Sequence, residues 1–299
     1  MAVVQGNLAL ASDFNTLKDE VNKWFGDSNP AMVFGAGDQT YGWGGANASA
    51  VVQGNLIQAS QLNTLIDRCN IGEDICNSVA GQLSQVVAGN QMTAAEFNAV
   101  ESKSDLITTN RLDIEAAEMS LAAGGNSAIS TTWSAAIDCE FSYTFADFAQ
   151  ARYFFNSGGA FNISGLITGY SIGTGWDGAG FNEIFTTMGT ILMNYTQTTQ
   201  SGSGGTPSSI GYYDLTTSNQ LIFTQTGTSA YTDAIFEIYA RRNATGSIIY
   251  LYITLTPGAG RSVDGTTTIT TQKRKLDDQI SGAVSLTITT PSYSLIDGL

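Results

Sequence analysis

Hydrolysis of a glycosidic bond needs two carboxylates facing each other across a cleft. Asp177, Glu183, Asp214, Asp233 and Glu237 are the candidates in this sequence, with Trp176 beside them as a face on which a sugar could stack. Their spacing singles out no pair. The stretch GTGWDG, Gly173 to Gly178, matches the dinucleotide-binding pattern G-x-G-x-x-G letter for letter. That pattern has meaning only between a strand and a helix of a βαβ unit. Here the surroundings read as antiparallel strands with no convincing helix start, so a glycine-rich β loop is expected. Cys69, Cys76 and Cys139 lack the C-x₂-C spacing of a zinc site and leave an odd thiol. They read as free thiols in a reducing compartment, with a Cys69–Cys76 bridge as the alternative. There is no histidine at all, which removes the usual general base near neutral pH and the usual partner of a nucleophilic Ser or Cys. No catalytic residue, cofactor site or metal site is assigned, and the chain is expected not to be an enzyme.

The elements that would carry such residues have an unusual surface chemistry. Charged residues make up 13% of the 299, about half the ordinary share, and the net charge is −14. Nucleic acid is excluded as a partner on that balance, because phosphate binding needs clustered Lys and Arg. The one basic cluster, Lys273-Arg274-Lys275, is followed at once by Asp277 and Asp278 and reads as a solvated loop. No apolar run approaches the roughly 18 residues of a membrane span, and no basic segment plus apolar stretch marks a signal peptide at the N-terminus. No membrane partner is expected. Surfaces of Gly, Ser, Thr and Asn are easily desolvated, which suits large assemblies.

The N-terminal third repeats itself. AVVQGNLALASDFNTL begins at Ala2, AVVQGNLIQASQLNTL at Ala50, and a weaker copy, VVAGNQMTAAEFNAV, at Val86. Each is an extended piece, a turn and then a helix. Ser12 and Ser60 stand where N-caps are expected, whereas Thr93 and Glu96 have capping-box spacing in a register two positions different. Phe14, Leu17, Val21 and Trp24 form one apolar stripe, with Leu62 and Leu65, then Phe97 and Val100, at matching offsets. An Asn shared by all copies (Asn15, Asn63, Asn98) is expected to bond a neighbouring backbone. Tyr41 and Trp43 lie in a Gly- and aromatic-rich loop and can pack on a neighbour. Val100, Ile107, Ile114 and Leu121 recur every seven residues, predicting a helix of roughly 25 residues whose other column, Ser104, Arg111 and Glu118, is polar. AAGGNSA, Ala122 to Ala128, reads as its end and as a domain boundary.

From Ile129 onward, short β-type runs recur: FSYTF, ARYFFN, AFNISGLITGYSI, QLIFTQ, AIFEIYARRN, IIYLYITLTP and AVSLTITTP. One helix, GFNEIFTTMGTILMNY, interrupts them, and SGSGGTPSS reads as an exposed loop. The expected fold is α+β: residues 1–122 form an array of strand-turn-helix repeats and a longer helix, and residues 129–299 form an antiparallel β-sandwich with one packed helix.

The unit QGNLIQASQLNTL resembles a short element that recurs in virion structural proteins of marine tailed phages, cyanophages especially. ARYFFNSGGAFNISG, Ala151 to Gly165, resembles the F-F-N-S-G-G strand-turn-strand of the same proteins' β domains; Phe161 and Asn162 depart from it where relatives often carry charges. The resemblance implies a non-enzymatic fibre, collar or baseplate-associated component of a neck or tail, located in the virion and without a cofactor. On this reading the helical stripes cannot bury themselves alone. Phe14, Leu17, Val21, Trp24, Tyr41, Trp43, Leu62, Leu65, Phe97, Val100, Ile107 and Ile114 are then an assembly interface with copies of the chain, expected as a homotrimer, or with neighbouring virion proteins. The alternative is a receptor- or glycan-binding adhesin with its site around Trp176, Tyr212-Tyr213 and Tyr231.

Overall fold

The structure, a computed structural model, describes residues 10–26, 42–77, 79–90, 92–277 and 290–299. The chain is α+β: among the described residues there are five α-helices and eleven strands, the strands in two antiparallel sheets.

Helices α1 (Ala11–Phe25), α2 (Ala59–Ile75) and α3 (Ala94–Asn110) each begin at the alanine shared by the three copies. One cap geometry starts all of them. Asp13, Gln61 and Glu96 reach back to accept the backbone N–H of Leu10, Gln58 and Thr93 at 2.9, 2.8 and 2.6 Å. Thr93 completes the box, its hydroxyl accepting from Glu96 N at 3.3 Å. The caps therefore sit two residues before Ser12 and Ser60, and all three copies share one register. The acceptor comes from the third helical residue, so Leu10 can hold a cap position without a polar side chain of its own.

Each of these helices packs on the other two. Trp24 donates its indole N–H to Ser104 Oγ at 2.9 Å, which takes Ser104 into the core. The predicted long helix stops at Asn110, whose amide turns back to Leu106 O at 2.9 Å. A turn closed by Asp113 N on Asn110 O at 2.8 Å follows, and Ile114 then forms a β-bridge with Cys76.

The chain continues as β1 (Met119–Ile129), β2 (Ile137–Thr144), α4 (Phe148–Asn156), β3 (Ala160–Thr168), α5 (Gly178–Met188), β4 (Ile191–Met193), β5 (Thr198–Gln200), β6 (Thr206–Pro207), β7 (Gln220–Thr226), β8 (Ile235–Arg242), β9 (Ile248–Thr256), β10 (Thr266–Leu276) and β11 (Ser292–Asp297). One sheet has the order β1-β10-β3-β4-β5 and the other β11-β2-β9-β8-β7-β6. Four expectations change. AAGGNSA is not a boundary but the middle of β1, where pairing with β10 overrides the helical preference of its alanines. Its glycines form a bulge: the register slips between Ala123 and Asn126. A Cβ on Gly124 would stand 2.5 Å from the Thr271 carbonyl, and one on Gly125 2.4 Å from the Tyr293 ring. ARYFFN lies within helix α4, capped by Asp147 accepting from Gln150 N at 2.9 Å. Its residues from Ala151 to Asn156 are all buried, a consecutive burial that a half-exposed strand cannot provide. The predicted helix after Gly180 divides at Gly189 into α5 and β4. Lys273-Arg274-Lys275 belongs to β10, between β1 and β3, and is no loop.

The two sheets meet through aromatic side chains. Tyr143 of β2 stacks on Phe161 of β3 at 4.1 Å between centroids and donates its hydroxyl to Thr271 of β10. Helix α5 packs on β3, β7 and β8, with Phe185 edge-on to Phe236 at 5.5 Å. Tyr41 and nearly all of AVSLTITTP lie outside the described residues. No helix among the described residues is long and apolar enough to cross a membrane.

Candidate functional site

Two of the shared asparagines, Asn15 and Asn63, bond a backbone as expected, but each bonds both groups of one residue far along the chain. Asn15 on α1 donates to Val51 O at 2.9 Å and accepts from Val51 N at 2.8 Å, across 36 residues of chain. Asn22, two turns further along, makes the same pair with Ala48, at 3.1 and 2.7 Å. On α2, Asn63 holds Val86 at 2.9 and 2.8 Å, and Asn70 holds Leu83 at 2.9 and 2.7 Å. Helices α1 and α2 thus each clamp the extended segment that leads into the next helix. The spacing is a geometric match: seven helical residues rise about 10.5 Å, and three extended residues span about 10 Å. Helix and segment run antiparallel, so the second asparagine meets the residue three positions earlier.

A cation from the following helix closes each clasp. Arg68 on α2 donates to Ala46 O and to Asn22 Oδ1, and its guanidinium lies 5.0 Å from the Phe25 ring centre. Lys103, at the equivalent place on α3, donates to Ala80 O at 2.7 Å and Gly81 O at 2.6 Å. Burial pulls the Arg68 pKa down from its ordinary value, with the neighbouring Cys69 opposing the shift. Sequence reasoning missed the clasps. The signal was present in the Asn-x₆-Asn spacing of Asn15/Asn22 and Asn63/Asn70.

The residues expected to form an assembly interface are placed differently from that expectation. Phe14, Leu17, Val21, Trp24, Trp43, Leu62, Leu65, Phe97, Val100 and Ile107 are buried inside the chain's own core. Ile114 packs against that core, and Tyr41 falls outside the described residues. The three stripes satisfy one another, so no second copy is needed to cover them. Trp43 instead joins the helices to the β region, its indole N–H shared between Arg111 O at 3.2 Å and Asn156 O at 3.1 Å.

The adhesin candidates divide in the same way. Tyr212 stacks on Phe155 at 4.2 Å, Tyr213 donates to Asn156 Oδ1 at 2.8 Å, and both are buried. Trp176 is half-buried and bridges Ser262, and Tyr231 is half-buried under the Arg261 guanidinium. Among the carboxylates, Asp177 is fully buried and accepts from Gly258 N and from Arg261 Nη1. Glu183 accepts from Thr228, Asp214 from Gly211 N at 3.2 Å, and Glu237 from Tyr239. GTGWDG does lead into a helix, α5, but not within a βαβ unit: the sheets are antiparallel, and the Asp177 carboxylate at the N-cap is taken up by Gly258 N and Arg261. The three thiols are free and buried, so the Cys69–Cys76 bridge is not formed. Desolvation pushes each of them up to about 12. Comparison with protein-family models, curated proteins and solved structures finds no match to this chain.

Proposed function

We propose that this chain is a non-enzymatic structural protein of a tailed-phage virion, a fibre, collar or baseplate-associated component of the neck or tail. The observation that carries the reading is the joining of its two resembling stretches. The helices of the repeated units build a body held together by main-chain clasps, and Trp43 ties that body to the F-F-N-S-G-G stretch at Asn156. The β region is read as a sandwich, supported by the Tyr143–Phe161 stack between its sheets. Self-association as a homotrimer, and contact with neighbouring virion proteins, remain part of the proposal. The surface for it moves from the buried stripes to the turn corners, where Val52, Leu56 and Val87 are 68%, 89% and 64% exposed. Sedimentation of the full chain and of a V52D/L56D/V87D variant tests this. A trimer that falls to monomer in the variant supports the reading, and a wild-type monomer overturns the trimer. Mass spectrometry of particles purified from a lysate of the source tests location: a fixed ratio to the major capsid protein supports it, and confinement to the soluble fraction sinks it.

A second reading, glycan recognition, is favoured by one observation: a cleft of about 430 Å³ on the outer face of the five-stranded sheet, lined by Arg274, Asn162 and the residues of β4 and β5.

A further inference from the structure

The basic cluster of β10 leads to this cleft. Along β10 the side chains alternate between faces. Lys273 is buried and donates to Pro291 O at 2.9 Å, while Arg274 stands on the opposite, outer face. None of the ion pairs among the described residues involves Arg274.

The strand registers fix what surrounds it. Arg274 pairs with Leu121 of β1, and Gln272, two residues along, pairs with Asn162 of β3. Asn162 is therefore the diagonal neighbour of Arg274, about 7 Å away and within reach of one small ligand. Asn162 in turn pairs with Leu192, and Leu192 with Thr199, so the row continues to the sheet edge. The Asn162 Oδ1 atom is buried and has no hydrogen-bond partner among the described residues. A buried amide oxygen in that state wants an O–H or N–H. Among the described residues no acidic side chain lines the cleft, and Leu121 and Leu192 give it an apolar side.

We infer that this cleft binds an acidic sugar, a carboxylate carried on a hydroxylated ring of monosaccharide size. The guanidinium takes the carboxylate through two parallel N–H donors. On binding, the Asn162 amide turns towards the cleft so that its Oδ1 accepts from a ring hydroxyl, and the C–H face of the ring lies on Leu121 and Leu192. The inference rests on the glycan reading above and names its site, away from the loops around Trp176.

The experiment is a titration of the full chain with glucuronate, glucose and sulfate, followed by amide chemical shifts, beside the variants Arg274→Gln and Asn162→Ala. Both residues line the cleft and are half-buried, and melting curves establish that each variant is folded. The expected result is saturable glucuronate binding centred on β3 and β10. Arg274→Gln should weaken it at least 10-fold and Asn162→Ala several-fold, with glucose binding at least 10-fold more weakly. Equal binding of sulfate and glucuronate would overturn the sugar, leaving a bare anion site. No saturable binding, or binding indifferent to Arg274→Gln, overturns the site. If the site fails while the chain still captures polysaccharides on a glycan array, the broader glycan reading survives without it.

Discussion

At the residue scale, the asparagine clasps make a sharp claim about side-chain chemistry. Asn15→Ala removes one donor and one acceptor from a main-chain unit that has no other partner within its own segment, and Asn63→Ala does the same one repeat later. Each is expected to cost about 1–3 kcal/mol in urea unfolding. Asn15→Asp should be no better than Ala, because a carboxylate accepts from Val51 N but repels Val51 O. A loss below a few tenths of a kcal/mol in both alanine variants would remove the clasps as stabilising devices. The thiols give a second expectation. Buried Cys69, Cys76 and Cys139 are held protonated up to about 12, against 9.0 for the free side chain. Unfolding therefore releases protons between those values. The stability these thiols contribute is intact below pH 9 and is lost as the pH rises towards 12. Replacing Cys139 by Ala should flatten that loss, and a thiol reagent at pH 8 should label the folded chain only as fast as it opens.

At the scale of elements, the bulge in β1 separates two kinds of crowding. A side chain on Gly124 meets the Thr271 main chain, which is locked between β1 and β3, whereas one on Gly125 meets the Tyr293 ring on the exposed edge strand β11. Gly124→Val is expected to destabilise by about 1–3 kcal/mol or more. Gly125→Val should cost less and should instead loosen β11, seen as faster proteolysis at the C-terminus. The reverse order would mean that β11 is the firmer element. Much of this layer was legible in the sequence: α1, α2 and α3 start where the repeats place them, and β8 and β9 show the alternation written in IFEIYAR and YLYITL. What was not legible depended on partners far away in sequence. β1 looks like a helix end because its alanines and glycines carry no strand signal until β10 is beside them. ARYFFN looks like a strand because aromatic residues favour strands, and only Asp147 in front of it announces a helix. The Asn-x₆-Asn spacing marked the clasps, but nothing local in it tells which backbone, 36 residues away for Asn15, the side chains would hold.

At the scale of the whole molecule, Trp43 is the joint. Its indole N–H reaches main-chain oxygens of both the end of α3 and the end of α4, and its ring lies 5.5 Å from that of Trp24. Trp43→Ala is expected to cost about 3–5 kcal/mol. Calorimetry should then show the helical body melting before the β region, whereas the wild type is expected to melt in one transition. A variant that still melts in a single transition would place the coupling elsewhere. The position of β1 also decides where the chain can be cut. Residues 129–299 lack the strand that flanks β10, so a fragment used to separate the two regions must begin before Met119.

The clasps have one more consequence, which concerns how such a chain can change over generations. They grip peptide units and ignore the side chains of the segments they hold, so those segments are free to mutate as long as they stay extended. They also leave the intervening loop unread: copies 48 and 35 residues apart close the same clasp. A gene duplication that carries the two asparagines and the cation along brings its own fastening with it. A body built this way can lengthen, or accept an insertion between copies, without redesigning the joints already in place.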